Sequence, residues 1–172
     1  MRKIIVGVAI SLDGFIEGPN GEYDWCFTDG DYGLTEFYQR IDALLMGRKT
    51  YEVMQRDDDG SHGFSKMTTY VFSNTLEKVK KGAILLKGDL QEEVERIKGS
   101  PGKDLWLFGG AMLTSALLNL RLVDEVWLSV HPIILGGGKA LFEGVERRIP
   151  LKLHEEKTYA SGLVSLLYHV QK

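Results

Sequence analysis

The hydrophobic pattern of the chain begins with residues 3–10, an almost continuous run of apolar and β-branched side chains. Such a run predicts a strand that is covered on both faces and lies inside a sheet. The run ends at the turn-forming stretch Ser11–Gly14, and the sequence Gly18-Pro19-Asn20-Gly21 also favours turn geometry. We therefore predict a central strand followed by a loop over one edge of the sheet.

Shorter apolar runs and helical spacing alternate through the middle of the chain. The predicted strands are 42–46, 70–72, 83–86 and 105–108. The predicted helices are 32–41, 90–97 and 110–119, with a shorter helical stretch at 50–55. The last third contains three strand patterns without long helices between them, at 125–130, 151–154 and 162–170, which favours antiparallel closure. We predict a single α/β domain over residues 1–172, with a mixed, mostly parallel sheet, helices on both faces and antiparallel C-terminal strands.

Composition narrows the function classes. The net charge of -3, from 21 basic and 24 acidic residues, leaves no positive excess to meet a nucleic-acid backbone, so we expect no nucleic-acid partner. No apolar run approaches the roughly 18 residues of a membrane span, so we expect no membrane partner. Cys26 is the only cysteine, which favours a packed thiol over a nucleophile and fits a reducing, cytoplasmic location.

The first candidate binding motif is Gly47-Arg48-Lys49-Thr50, which follows a predicted strand and opens a helix. Gly47 allows a close backbone approach, the Arg48 fork can chelate phosphate oxygens, Lys49 adds a cation and Thr50 offers a hydroxyl. The same residues also fit a surface Arg-Lys pair after a turn. The motif predicts a phosphate site only in combination with a second one.

The second motif is Gly109-Gly110, which lies between a predicted strand and the helix 110–119. Two residues without side chains at a helix N-terminus favour a pyrophosphate against the helix dipole, although a close contact between helix and strand also requires glycine. Because ligands of open α/β sheets bind at the carboxyl ends of strands, the order of the two motifs indicates one phosphorylated ligand.

Other kinds of site have weaker support. Neither the phosphate-loop nor the dinucleotide glycine motif is present, and the four histidines are scattered, so we predict no metal site. The acidic run Asp57–Gly60 is interpreted as solvated charge, because carboxylates are missing at the first and last positions of a calcium loop. Gly136-Gly137-Gly138-Lys139 is interpreted as a flexible turn rather than a ligand contact.

Four stretches in this order resemble the dihydrofolate-reductase-like superfamily, and in particular the C-terminal reductase domain of the bifunctional riboflavin-biosynthesis deaminase/reductase. They are Val8-Ala9-x-Ser11-x-Asp13-Gly14, Asp42-Ala43-Leu44-Leu45-Met46-Gly47-Arg48-x-Thr50-Tyr51-Glu52, Phe108-Gly109-Gly110, and His131-Pro132-Ile133-x-Leu135-Gly136-x-Gly138. The resemblance covers essentially the whole chain. It implies an NADPH-dependent reductase with a three-layer fold around an eight-stranded sheet, commonly a homodimer.

The resemblance also implies roles for individual residues. Ala9 would lie near the nicotinamide, and Gly47, Arg48, Lys49 and Thr50 would hold the adenosine phosphates. Ser73 and Asn74 would contact the adenosine 2′-phosphate. The pyrophosphate would be held by Gly109, Gly110, Ala111 and Met112.

The substrate side is less defined by the sequence. Hydride transfer to a C=O or C=N group of a small heterocyclic substrate needs a proton donor or a water, and the acids to test are Asp13 and Asp31, with Tyr38 behind them. Asp13 also fits a turn and Asp31 an N-cap of helix 32–41. Loops 17–31 and 56–66 are expected to line the substrate. A non-catalytic, homodimeric nucleotide-binding module is the alternative function.

Overall fold

The computed structural model describes residues 1–56 and 64–172, and this part of the chain contains ten strands and four helices. The strands are β1 (Ile4–Ser11), β2 (Phe15–Glu17), β3 (Ile41–Gly47), β4 (Thr68–Phe72), β5 (Ala83–Leu86), β6 (Asp104–Gly109), β7 (Glu125–His131), β8 (Lys139–Ala140), β9 (Leu151–Thr158) and β10 (Val164–Val170). The helices are α1 (Leu34–Arg40), α2 (Arg48–Arg56), α3 (Leu90–Gly99) and α4 (Ala111–Asn119), and one 3-10 turn covers Phe64–Lys66.

The main sheet of the described residues has eight strands in the order β5-β4-β3-β6-β1-β7-β10-β9. The strands from β5 to β7 pair in parallel, whereas β10 pairs antiparallel with both β7 and β9. Strand β1 lies between β6 and β7, and six of its eight residues are buried, as its continuous apolar run predicts. The predicted α/β class, with a parallel centre and antiparallel C-terminal strands, is confirmed.

Helices cover both faces of the sheet. On one face, α3 and α4 place Val94, Ile97 and Leu117 against Ile4 and Val6 of β1. On the other face, α1 and α2 contribute Phe37 and Tyr51 to a separate cluster that includes Ile5, Leu44 and Trp106. Successive residues of each buried strand therefore pack on opposite helix layers, which gives the expected three layers.

The start of α1 differs from the prediction. Helix 32–41 was expected to begin after Asp31, but Tyr32 and Gly33 both have positive φ, 47° and 89°, so they form a turn and the helix begins at Leu34. Gly33, not Asp31, is the N-cap residue. The Asp31 carboxylate still accepts hydrogen bonds from the backbone N–H groups of Gly33 and Thr35, at 3.1 and 2.9 Å.

Three strands in the C-terminal half and near the first loop also differ from the prediction. Strand β9 extends to Thr158 rather than to His154, because β10 pairs with it along its whole length. It is an edge strand with every residue exposed, so its second half is polar and shows no apolar pattern from which a strand could be predicted. The register of its pairing with β10 shifts between Leu167 and Tyr168. The short strands β2 and β8 pair with each other, so Lys139 lies in a strand rather than in a flexible turn. The predicted acidic loop Asp57–Gly60 lies outside the described residues.

Among the helices of residues 1–56 and 64–172, none has the length and apolar character that crossing a membrane requires.

Candidate functional site

Three parallel strands end beside one another at the carboxyl edge of the sheet. Gly47 at the end of β3 lies opposite Phe72 of β4, and Met46 lies opposite Gly109 of β6. The predicted segments Gly47–Thr50, Ser73–Asn74 and Gly109–Met112 therefore begin at neighbouring strand ends. The structure brings them to the edge at which open α/β sheets bind ligands.

A cavity of about 640 Å³ opens at this edge, a volume typical of small-molecule sites. Five residues that the sequence predicts for cofactor binding line it: Ala9, Lys49, Thr50, Gly109 and Gly110. The other six predicted residues lie on the same edge but are not among those that line the cavity: Gly47, Arg48, Ser73, Asn74, Ala111 and Met112.

The Thr50 side chain lies against the glycine pair. A Cβ added to Gly110 would come 3.1 Å from Thr50 Oγ1, and Gly109 has a φ of +139°, a conformation that side chains rarely adopt. The peptide bond between the two glycines is cis. The first turns of α2 and α4 contain no acidic residue, so the dipoles of both helices favour an anion at their N-termini. Two helix N-termini and the Gly109-Gly110 pair thus form one anion-compatible surface.

Charged side chains of α2 lie beside this surface. Lys49, Glu52 and Arg56 line the cavity, and Arg48 forms an ion pair with Glu52 at 3.5 Å. Both members of the pair are more than two-fifths exposed, and such pairs contribute little free energy. Arg48 can therefore exchange Glu52 for an anionic ligand at low cost.

Ser73 and Asn74 stabilise the connection after β4. Ser73 Oγ accepts hydrogen bonds from the backbone N–H groups of Thr75 and Leu76, at 3.2 and 3.0 Å. Asn74 Oδ1 accepts one from Gly88 N–H at 3.0 Å. The side-chain oxygens of Ser73 and Asn74 thus accept hydrogen bonds within the turn. The groups suited to an anion are the donors on the same side chains, the Ser73 hydroxyl and the Asn74 amide.

An aromatic wall that the sequence analysis did not single out lines the cavity. It consists of Phe64, Trp106 and Phe108, whose ring centroids lie 4.8 to 5.6 Å apart at steep angles. Trp106 Nε1 donates a hydrogen bond to the Gly7 carbonyl oxygen at 2.8 Å, which fixes the indole ring. The spacing of Trp106 and Phe108 in one strand was a usable signal, because alternate strand residues share a face.

Further lining residues of the cavity come from the first loop and from the short β2–β8 pair. Glu17, Tyr23 and Cys26 lie within loop 17–31, which the sequence predicts to line the substrate, and Lys139 lies in β8. Burial, followed by the Asp24 charge, raises the pKa of the Cys26 thiol to about 11. The thiol is therefore protonated at neutral pH, which agrees with the packed, non-nucleophilic interpretation.

Asp13 does not line the cavity. Its carboxylate accepts hydrogen bonds from Ser11 Oγ at 2.7 Å and from the backbone N–H groups of Leu135 and Gly136, at 3.1 and 2.8 Å. The Ser11 hydroxyl is the main cause of the lowered pKa of the Asp13 carboxyl; burial opposes it, and the Gly136 and Leu135 backbone N–H groups reinforce it. Asp13 thus connects the turn after β1 to residues 135–136. This agrees with a role in the turn, the alternative to a catalytic role.

Asp31 also lies outside the cavity lining and is exposed. The Thr35 hydroxyl and backbone N–H lower the pKa of its carboxyl, followed by the Gly33 N–H and the charge of Lys157. Tyr38 packs against Phe64 and Trp106 behind the wall, and burial raises the pKa of its phenol. A catalytic role for Asp13 or Asp31 stays a prediction.

The described residues contain no group of three or more His, Cys, Asp or Glu side chains suited to a metal ion.

The chain is similar to several known proteins, and a family model covers most of its length. The model of the RibD C-terminal domain matches residues 2–165. An uncharacterized Bacillus subtilis protein, YyaP, is 44% identical over 178 residues, covering 98% of this chain and 95% of that protein. The structure of a candidate riboflavin biosynthesis protein from Shewanella sp. PV-4 superposes with a TM-score of 0.86 at 29% identity, covering 99% and 100% of the two chains. Dihydrofolate reductase from Enterococcus faecalis, complexed with NADP(H), has a TM-score of 0.72 at 17% identity, covering 99% and 97%.

Proposed function

Because this chain belongs to the RibD C-terminal domain family, we propose that it is an NADPH-dependent reductase. It transfers hydride to a small heterocyclic substrate of the ribosylaminopyrimidine or pterin-like class. The observation that carries the proposal is the cavity at the carboxyl edge, where Ala9, Thr50 and the Gly109-Gly110 pair meet beside two helix N-termini.

The residues at this edge fit a pyrophosphate nucleotide. A Cβ at Gly47 would have no atom within 4 Å, so the space beside its backbone is open, and the first-turn N–H groups of α4 have no partner within the helix. Arg48 and Lys49 supply two cations at the start of α2. These groups would hold the phosphates, and the small Ala9 side chain leaves room for a flat ring against β1.

NADPH would supply the hydride, and the chain would orient the two reactants and exclude water. The aromatic wall would give the substrate an apolar surface in the same cavity that Tyr23 and Cys26 line. Asp13 and Asp31 have lowered pKa values, so both are ionised at neutral pH and are poor acids there. This favours delivery of the proton by water, the alternative to a carboxyl donor.

The cofactor proposal is tested by comparing the affinities for NADPH and NADH. If Arg48 binds the 2′-phosphate, which NADH lacks, NADPH should bind more tightly than NADH. Arg48→Ala should then weaken NADPH binding by about 10- to 100-fold, the effect of one charged hydrogen bond or two, and erode the preference over NADH. Reduced-nicotinamide fluorescence measures both affinities. Arg96→Ala is the matched control, because Arg96 forms a comparable helical surface pair with Glu93 on α3.

The same measurement separates the reductase from the alternative module. No NADPH binding would contradict both cofactor-dependent functions. Binding without turnover of pterin, ribosylaminopyrimidine or quinone-like substrates would favour the non-catalytic module. The homodimer that the resemblance implies stays part of the proposal, and sedimentation equilibrium measures it.

A further inference from the structure

His131 ends β7 opposite Ser11 of β1, and it is only 3% exposed. Its Nδ1 lies 2.9 Å from the Ser129 carbonyl oxygen, and its Nε2 lies 3.1 Å from the Phe27 backbone nitrogen. Because a carbonyl oxygen only accepts, Nδ1 carries the proton and Nε2 accepts from the Phe27 N–H. The imidazole is thus a neutral ring whose tautomer is fixed by two backbone groups.

The ring also contacts two aromatic side chains of the same loop. The Trp25 ring meets it edge-on with the centroids 5.4 Å apart, and the Phe27 ring lies 5.0 Å away. These contacts and the Phe27 hydrogen bond join residues 23–27, the anchored segment, to a strand of the main sheet across 104 positions of sequence. A second backbone bond, from Cys26 N–H to the Tyr23 carbonyl oxygen, lies within the segment and cannot attach it.

The anchored segment is part of the cavity wall. Tyr23 and Cys26 line the cavity, as do Trp106 and Phe108, whereas His131 itself is not among the lining residues. A change at His131 therefore reaches a bound molecule indirectly, through the anchored segment that its ring contacts.

We propose that His131 is a positioning residue that holds the anchored segment as one wall of the cavity and thereby sets the fit of the hydride acceptor. The part of this inference that concerns the acceptor rests on the proposed reductase function. The attachment of the segment does not depend on it.

The single cysteine provides a direct readout of the attachment. Cys26 lies in the anchored segment and is only partly buried, so its rate of reaction with an aromatic disulfide reagent should rise when the segment opens more often. His131→Phe keeps an aromatic ring but removes the acceptor, and Cys26 should react about three- to tenfold faster, the factor of one net hydrogen bond. His131→Gln supplies an acceptor at a similar distance and should restore most of the protection. His154→Phe, the same change on the exposed strand β9, should leave the rate unchanged.

Kinetics then test the effect on the acceptor. His131→Phe should raise the KM for the acceptor more than it lowers kcat, and the dissociation constant of NADPH should stay within about twofold, because Lys49, Thr50 and the glycine pair are untouched. A wild-type protein that binds no NADPH would contradict the proposed function, but the Cys26 rates would still test the attachment.

An unchanged Cys26 rate in His131→Phe, or an equal acceleration in His154→Phe, would overturn the proposal. Should His131→Phe not fold, hydrogen exchange of the wild-type Phe27 amide gives the answer. Exchange at least about tenfold slower than in a peptide of the same sequence is expected for a bonded amide, whereas equal rates would overturn the attachment.

Discussion

Individual glycines at the candidate site differ in what surrounds them. A Cβ on Gly110 would crowd Thr50 Oγ1, whereas one on Gly47 would meet no atom within 4 Å. Gly110 is therefore explained by packing within the protein. Gly47 is not, and its open surroundings are the ones that a bound molecule could occupy.

Gly47→Ala should separate binding from folding. If the cofactor approaches this backbone, the added methyl group overlaps the ligand and should raise the dissociation constant of NADPH by about tenfold or more, the cost of overpacking one methyl group. The melting temperature should stay within about 1 °C of the wild type, because the folded protein offers no clash. Isothermal titration and differential scanning fluorimetry measure the two effects.

Gly99→Ala is the control for this change, because its Cβ would also meet no atom within 4 Å and it ends α3 on the other face of the sheet from α2. Equal NADPH affinity in wild type and Gly47→Ala would show that the ligand does not approach Gly47.

At the residue scale, the glycine pair and Thr50 could be predicted from the sequence because each belongs to a short motif at a strand end, and the family resemblance added Ala9. The sequence could not identify the wall of Trp106 and Phe108. Strand alternation shows that the two side chains share a face, but only the packing of α2 shows that this face opens into a cavity. Nor could it show that the Asp13 carboxylate accepts hydrogen bonds from Leu135 and Gly136, which lie 122 and 123 positions away.

At the element scale, the short pair of β2 and β8 shapes the site most. Glu17 lies opposite Lys139, and both line the cavity together with Ile16 and Leu141. Strands of three and two residues are too short for periodicity to reveal, which is why the turn prediction at Gly136–Lys139 was wrong at Lys139.

Gly138→Ala should break this pair. Gly138 has a φ of +129°, and a Cβ there would overlap the Glu17 carbonyl oxygen. The combined strain and overlap should lower the free energy of unfolding by about 2–4 kcal/mol, measured by urea denaturation. Gly137→Ala is the neighbouring control, because its Cβ would make an ordinary 3.8 Å contact with Pro19. A Gly138→Ala protein as stable as the control would mean that the pair contributes nothing to folding.

At the scale of the whole molecule, the two ends of the parallel strands have different roles. The carboxyl ends carry the cavity, and the amino ends carry a charge cluster around the buried Glu125, which is 2% exposed. Lys3 Nζ and Arg40 Nη2 each lie 2.8 Å from its carboxylate oxygens. Burial opposes ionisation of Glu125, but these two hydrogen bonds outweigh it and lower the pKa of the carboxyl.

This cluster predicts a pH dependence of stability. A lowered folded-state pKa means that the stabilisation is complete above the unfolded-state pKa of about 4.3 and is lost as the pH falls through the folded-state value. Glu125→Gln should therefore reduce the free energy of unfolding by about 1–3 kcal/mol at pH 7 and flatten its decline between roughly pH 5 and pH 3. Urea denaturation across this range measures both.

The control is Glu93→Gln, which alters a surface pair with Arg96 and should change neither quantity by more than about 0.5 kcal/mol. Equal pH slopes for wild type and Glu125→Gln would show that other carboxyls cause the acid sensitivity.

The fold class could be predicted because many segments of the chain indicate it independently. Alternating strands and helices, followed by strands alone, were sufficient for a parallel sheet with antiparallel closure. The order of the strands was not predicted, since hydrophobic periodicity does not say which strands are neighbours. The charge cluster was not predicted, because Lys3, Arg40 and Glu125 are far apart in the sequence. They meet only in the folded chain, where the start of β1, the end of α1 and the start of β7 lie together.

The fully exposed edge strand β9 has a consequence for how the protein behaves at high concentration. Its unpaired backbone edge could recruit a strand of another molecule, as growing fibrils do. Lys152, Glu155, Glu156 and Lys157 bring charge to that edge, and the irregular register with β10 bends it away from the flatness that fibril growth needs. The strand thus closes the sheet while discouraging its extension into an aggregate.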